Sequence, residues 1–91
     1  MCELKVGTVF DLGNTEFRVG RAVDNELMLP LNNVSRFHFR LVPREQRFVY
    51  EDVESRGTPI YNDKPLGNEN QRVVEDGDTF NAAGIMFRYR Q

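Results

Sequence analysis

Arginine and hydroxyl side chains follow short apolar segments at two places in the first half of the chain. Gly20-Arg21 closes one segment, and Ser35-Arg36 closes a polar stretch that includes Asn32. Glycine at a strand end permits a sharp or left-handed turn. Arginine at such a turn presents a planar fork of five donors, and serine adds a short hydroxyl hydrogen bond. Two loops of this kind would together form an anion pocket suited to phosphate.

The bulk composition restricts the classes of protein to which the chain can belong. It has 91 residues, a net charge of −2, 40% hydrophobic residues and 29% charged residues. This length predicts one domain over residues 1–91, either a whole protein or one domain of a longer one. A domain of this size has a modest core, so we expect no deeply held cofactor. The acidic balance argues against nucleic acid, which needs a basic surface.

The cysteine content and the length of the apolar segments indicate in which cellular compartment the protein is expected. Cys2 is the only cysteine, so we expect no disulfide framework and a reducing compartment, which is the cytoplasm or, in a eukaryote, the nucleus. No apolar run approaches the ~18 residues of a membrane span, so we expect no membrane insertion. The N-terminus also lacks the basic and apolar segments of a signal peptide.

Short strands separated by turns must position these residues. Phe17 and Val19 alternate with polar residues, which predicts a strand with one buried face, and Phe37, Phe39 and Leu41 repeat the pattern. No stretch has helical spacing, and turn signals recur about every eight to twelve residues, as is typical of an all-β sandwich. We expect strands at 4–6, 9–12, 15–19, 26–29, 37–41, 47–52, 59–61, 72–74, 79–80 and 86–89, turns at 13–14, 43–46, 62–63 and 76–77, and a polar loop at 66–70.

The order and spacing of ten residues carry a resemblance to a known family. They are Gly20-Arg21, Asn25, Ser35-x-x-His38, Asp52 and Ser55-Arg56-Gly57-Thr58. Together they resemble the forkhead-associated (FHA) domain, a phosphothreonine-binding module, and the resemblance runs from about Gly7 to Tyr89. It implies a sandwich of two antiparallel or mixed sheets with about 11 short strands and with the binding loops at one end.

The resemblance also implies which residues bind a phosphopeptide. Arg21 would be the principal phosphate ligand, and the hydroxyl of Ser35 would donate to a phosphate oxygen. Ser55 would touch the phosphate as its counterpart in the family does. From their own positive charges we also expect Arg36 and Arg56 to assist, so that loops around 20–25, 32–36 and 54–58 form the site. The implied partner is a phosphothreonine-containing protein or peptide, and the implied function is a phosphorylation-dependent signalling interaction.

Four further residues would support the site without touching the phosphate. In FHA domains a ring nitrogen of the residue matching His38 pins the loop that carries the serine. The chain has one His and one Cys, so the ligand set of a zinc site is missing. Ser35 and His38 lack an oxyanion-hole motif and a nucleophile elbow, so we predict no catalytic residue, no metal and no enzyme. The supporting residues are Gly20, Asn25, His38 and Gly57.

The 52–58 loop departs from the family pattern. It is one residue shorter, and Arg56 stands where FHA domains have the Asn that holds the peptide backbone. Arginine has donors but no acceptor, so it would select an acidic residue beside the phosphothreonine. The same departure supports an alternative, an FHA-like scaffold that packs in an assembly such as a secretion system without phosphate dependence. A β-barrel for single-stranded nucleic acid would need a basic groove, which the composition disfavours.

Overall fold

The computed structural model describes residues 2–4, 8–53, 59–66 and 70–91, and these ranges are all-β. None of these residues belongs to a helix with the length and apolar character needed to cross a membrane. The strands are β1 (Cys2–Leu4), β2 (Val9–Phe10), β3 (Phe17–Gly20), β4 (Leu27–Met28), β5 (Phe39–Arg44), β6 (Arg47–Asp52), β7 (Ile60–Tyr61), β8 (Lys64–Pro65), β9 (Gln71–Val73), β10 (Thr79–Ala82) and β11 (Ile85–Tyr89).

The strands form two sheets, as the sequence predicts. One sheet has six strands in the order β2-β1-β11-β10-β7-β8, and the other has five in the order β4-β3-β5-β6-β9. β3 and β4 pair in parallel, whereas β5 pairs antiparallel with both β3 and β6. The expected sandwich of mixed sheets and about 11 short strands is therefore confirmed.

Aromatic rings from both sheets form the centre of the core. Phe39 and Tyr50 come from the five-stranded sheet, and their ring centroids lie 5.3 Å apart. Phe80 and Phe87 come from the other sheet and meet the Phe39 ring edge-on at 5.4 and 5.2 Å. Edge-to-face contacts at these distances suit the quadrupoles of the rings, so this cluster holds the two sheets together.

The burial predicted for the alternating apolar residues is confirmed at four positions and wrong at a fifth. Phe17, Val19, Phe39 and Leu41 are all buried, as predicted. Phe37 is only half-buried and precedes β5, so its predicted place on the core face of a strand is wrong. The reason is the bend before β5, because regular antiparallel pairing with β3 begins only at Phe39.

The predicted turn at 43–46 is too long by two residues. Pro43 and Arg44 belong to β5, and only Glu45 and Gln46 form the turn. Proline in a strand leaves a ladder position without a donor. Here the first residue of β3, Phe17, pairs with Leu41. Pro43 therefore lies past the point where β3 starts, and among the described strands it pairs only with β6.

Other predicted turns and strand boundaries differ from the structure where strands pair with partners far away in the sequence. The turn at 13–14 connects the two sheets and does not close a hairpin, since β2 pairs with β1 and β3 pairs with β5. Leu66 opens the predicted polar loop but is buried in the core. The short strand β8 was not predicted. Of the expected strand at 4–6, only Leu4 lies within the described residues.

Candidate functional site

Three connections leave the five-stranded sheet at one end. β3 ends at Gly20, and the register pairs Val19 with Phe39, the first residue of β5. Phe39 in turn pairs with Asp52, the last residue of β6. Antiparallel neighbours place the end of one strand beside the start of the next. The segments after β3, before β5 and after β6 therefore emerge together, although they are far apart in sequence.

The segment after β3 folds into a compact turn that exposes Arg21. Its backbone is fixed by a hydrogen bond from the amide of Asn25 to the carbonyl of Ala22 at 3.2 Å. The side-chain Nδ2 of Asn25 donates to the same carbonyl at 2.8 Å. Asn25 is buried and Arg21 is exposed, so the turn has a fixed base and an exposed cationic tip.

The segment before β5 lies directly against this turn. The amide of Arg21 donates to the carbonyl of Ser35 at 2.9 Å, and the amide of Ala22 donates to the carbonyl of Arg36 at 3.1 Å. Nδ2 of Asn25 also donates to the Arg36 carbonyl, at 2.8 Å. The structure therefore brings together the Arg21 and Ser35-Arg36 positions that the sequence analysis selected. Their role as phosphate ligands stays a prediction.

Gly20 permits this close contact between the two segments. A Cβ atom built on Gly20 would lie 2.2 Å from the carbonyl oxygen of Arg36 and 3.0 Å from Nδ2 of Asn25. Glycine is needed here for close backbone approach and not for the left-handed conformation that its position suggested, because the φ of Gly20 is not positive. Only glycine leaves enough space for the carbonyl that Asn25 holds.

His38 fixes the second segment from within the fold. Its side chain is buried, and its Nδ1 accepts a hydrogen bond from the amide of Ser35 at 3.2 Å. An accepting Nδ1 requires a neutral ring protonated on Nε2. Burial lowers the pKa of His38 below its usual range, and the charge of Asp52 opposes this shift. The geometry is that of a residue that positions Ser35.

A fourth element of the site was missed by the sequence analysis. Nε and Nη2 of Arg18 bind the carboxylate of Glu26 at 2.9 and 2.8 Å, and Nη2 also donates to the carbonyl of Asp24 at 2.9 Å. The Arg18 side chain lowers the pKa of Glu26 to about 2. This pair closes the loop that carries Arg21. The parallel pairing of β3 and β4 brings the two residues together, and two opposite charges flanking the loop were the only signal in the sequence.

The charges at the loop tips differ from those on the sheet. Arg18 and Arg40 are both paired with carboxylates. Over the described ranges, the guanidinium groups of Arg21 and Arg36 form no ion pair, and both residues are exposed. Within the described part of the chain these two guanidinium groups have no carboxylate partner, and on loops joined through their backbones they can provide donors for a doubly charged oxyanion.

The third predicted loop is described only at its start. The amide of Val53 donates to the carbonyl of His38 at 3.0 Å, so the chain leaves β6 beside the residue that positions Ser35. Ser55, Arg56 and Gly57 lie outside the described residues. In the part of the chain that is described, no three acidic, histidine or cysteine side chains come together as a metal site would require.

Comparison with known proteins identifies the family. The FHA domain model matches residues 17–82. No curated protein matches the sequence. The structure is similar to the FHA domain of FhaA in complex with the intracellular domain of a partner, with a TM-score of 0.81, 22% identity, and coverage of 96% of this chain and 94% of that one.

Two other solved structures show the same fold. An FHA domain solved in a study of phosphothreonine-dependent FHA interactions has a TM-score of 0.84 and 23% identity, over 99% of this chain and 93% of that chain. EmbR from Mycobacterium tuberculosis, in complex with a low-affinity phosphopeptide, has a TM-score of 0.87 and 23% identity over 98% of this chain but only 23% of EmbR. The two joined loops thus lie on a sandwich that known FHA domains share, and the chain belongs to the FHA domain family.

Proposed function

We propose that this FHA domain binds a phosphothreonine-containing protein or peptide. The observation that carries the proposal is the junction of the two loops, where the amide of Arg21 donates to the carbonyl of Ser35 at 2.9 Å. Arg21 and Ser35 hold the phosphate in this proposal, and Arg36 adds a second positive charge. Charge-assisted hydrogen bonds contribute about 1.5–3 kcal/mol each, so these groups supply much of a micromolar affinity, which corresponds to about 8 kcal/mol.

Recognition in this proposal is electrostatic, and the protein carries out no chemical step. The family consists of interaction modules, and two of the similar structures come from work on phosphothreonine-dependent binding or contain a phosphopeptide. Ser55 and Arg56 are proposed to assist from the third loop. We call the segment around 20–25 and the segment around 32–36 the ligand loops. The buried residues Asn25 and His38 support phosphopeptide binding, because they hold the backbones of these ligand loops in place before any ligand binds.

Substitution of Arg21 tests the proposal at its principal ligand. A phosphothreonine peptide selected from a degenerate library is titrated against the wild type and Arg21→Ala. We expect a loss of affinity of about tenfold or more, because one charge-assisted bond is removed. The free energy of unfolding should change by less than about 0.5 kcal/mol, since Arg21 is exposed.

Arg44→Ala is the matched control for this experiment. Arg44 is also exposed, but it ends β5 at the opposite end of the sheet. Its substitution should leave the peptide affinity unchanged. An equal loss of affinity in both variants would mean that the general positive charge matters and not the position of Arg21. A large drop in the melting temperature of Arg21→Ala would make that residue structural.

A further inference from the structure

The first ligand loop exposes an apolar side chain at its outermost point. The amide of Asn25 donates to the carbonyl of Ala22 at 3.2 Å, so residues 22–25 form a β-turn with Val23 and Asp24 at its corner. Val23 is 81% exposed, the highest value among the large apolar residues that the structure describes. Aspartate is common in turns, but valine is not. Neither turn preference nor packing in the core accounts for a valine at this position.

The backbone of this corner is held in place on both sides. Nδ2 of Asn25 donates to the carbonyl of Ala22 at 2.8 Å, and Nη2 of Arg18 donates to the carbonyl of Asp24 at 2.9 Å. The amide of Ala22 donates to the carbonyl of Arg36 at 3.1 Å, which joins the turn to the second ligand loop. A surface that is already fixed loses little conformational entropy on binding, so a contact at the corner adds to the affinity for a partner.

The charge of Asp24 is not balanced by an ion pair within the described part of the chain. Arg18 reaches the same turn, but its Nε and Nη2 bind the carboxylate of Glu26 at 2.9 and 2.8 Å. One positive charge therefore meets two negative charges at the base of the turn. Arg21 lies on the other side of Val23 and is exposed. From Arg21 to Asp24 the turn thus exposes a cation, an apolar group and an anion.

This order of groups matches a partner with the complementary order. We propose that the phosphothreonine-bearing partner carries a lysine or arginine close to the phosphothreonine, an inference that rests on the proposed function. The phosphate binds Arg21, the methylene stem of the basic residue packs against Val23, and its cationic head pairs with Asp24. Lysine and arginine combine an apolar stem with a positive charge, so they match both groups at the corner. An acidic residue at the same place is repelled by Asp24.

The length of the turn limits how far the basic residue lies from the phosphothreonine. Three peptide units connect Arg21 with Asp24, and they span at most about 11 Å. An extended peptide advances about 3.3 Å per residue, so the basic residue should lie within about four residues of the phosphothreonine. Asp24 is exposed, so the ion pair should raise the affinity by about two- to fivefold, and added salt should reduce the gain.

A matched series of phosphopeptides tests this assignment. An alanine-rich phosphothreonine peptide receives lysine, norleucine, alanine or glutamate at one position at a time, within four residues of the phosphothreonine, and each peptide is titrated by calorimetry. Norleucine has the apolar stem of lysine without its charge. At one or two positions we expect lysine to bind about two- to fivefold more tightly than norleucine, and glutamate to bind most weakly. An equal gain from lysine at every position would overturn the proposal in favour of a general charge effect.

Three variants separate the parts of the contact. Asp24→Asn should remove the preference for lysine over norleucine. Val23→Ser should remove the preference for norleucine over alanine and leave the preference for lysine in place. The matched control is Asp63→Asn, because Asp63 is also an exposed turn residue but lies between β7 and β8 of the six-stranded sheet. This control should bind every peptide as the wild type does, and thermal unfolding checks that all three variants fold.

The outcomes distinguish this inference from the proposed function. If phosphopeptides bind but lysine gives no advantage at any position, the proposal is wrong and the proposed function stands. The proposal is also wrong if the advantage survives in Asp24→Asn, or if Asp63→Asn removes it equally. If no phosphorylated peptide of the series or of a degenerate library binds, the proposed function fails and this inference fails with it.

Discussion

Gly20 is the residue on which the junction of the two ligand loops depends. Gly20→Ala would place a methyl group 2.2 Å from the Arg36 carbonyl oxygen, which is a backbone atom that cannot rotate away. We expect a loss of about 1–3 kcal/mol in the free energy of unfolding, as in other overpacked sites, together with weaker phosphopeptide binding. Chemical denaturation and calorimetry measure the two effects.

Gly13→Ala separates the loss of stability from the loss of binding. Gly13 has a positive φ of 59° and open space around it, and it precedes the opposite end of β3. Alanine there should be destabilising by about 1–2 kcal/mol through backbone strain and should leave peptide affinity unchanged. If Gly20→Ala binds phosphopeptide as well as the wild type does, the junction of the loops is not part of the site.

His38 should make the stability of the domain depend on pH. The pKa of this histidine is about 6.5 in the unfolded chain and lower in the folded protein. The unfolded chain therefore binds more protons, so the contribution of neutral His38 is present above about pH 6.5 and is lost as the pH falls toward the folded pKa. Protonation also removes the acceptor that holds the amide of Ser35.

Urea unfolding of the wild type and His38→Ala, at several values between about pH 7.5 and about pH 5.5, measures this contribution. At the upper limit His38→Ala should be less stable by about 1–3 kcal/mol, because the partner amide is left unpaired. The difference between the two proteins should shrink as the pH falls. A difference that stays constant with pH would show that His38 contributes by packing alone.

Sequence reasoning at the residue scale succeeds where a side chain acts through its own chemistry. Arginine, serine and histidine were selected for their donors and acceptors, and Arg21, Ser35 and His38 do lie at one junction. The reason for Gly20 was given wrongly, because steric contact with Arg36 depends on a segment 16 residues away. The Arg18–Glu26 pair was missed for the same reason, since it follows from the parallel pairing of β3 and β4.

At the element scale, the hairpin turn between β5 and β6 has a strained backbone. Glu45 and Gln46 have φ values of 49° and 70°, both in the left-handed region. Two-residue loops of this type favour Asn-Gly, because other residues cost about 1–2 kcal/mol in that conformation. The double substitution Glu45→Asn with Gln46→Gly should therefore stabilise the protein by roughly 1–2 kcal/mol, and each kcal/mol raises the melting temperature by about 4–8 °C.

The same variant should bind phosphopeptide with unchanged affinity, since the turn lies at the opposite end of β5 from the ligand loops. Thermal unfolding and calorimetry check both expectations. A lower melting temperature would contradict the conformation seen at this turn.

The strands were predicted well from the alternation of apolar and polar residues, whereas the ends of β5 and the existence of β8 were not, because they depend on which strands lie alongside.

At the scale of the whole molecule, the order of strands in the five-stranded sheet assembles the site. β3, β5 and β6 lie side by side, so the strand ends that carry Gly20, Phe39 and Asp52 meet at one end of the sheet. A sandwich was predictable from the spacing of turns and from the family resemblance. The convergence of particular loops was not predictable from the residues alone, because strand order is set by long-range pairing across the core.

Phosphate dependence is the central claim, and one calorimetric comparison tests it most directly. A library-selected peptide is titrated in its phosphothreonine form and in its unphosphorylated form under identical salt. We expect the phosphorylated peptide to bind with a dissociation constant of about 1 μM and the unphosphorylated one to bind at least about a hundredfold more weakly, because it loses the charge-assisted bonds to Arg21 and Ser35. Equal affinity for the two forms, or no affinity for any phosphorylated member of the library, would contradict the account and favour a scaffold that packs without phosphate.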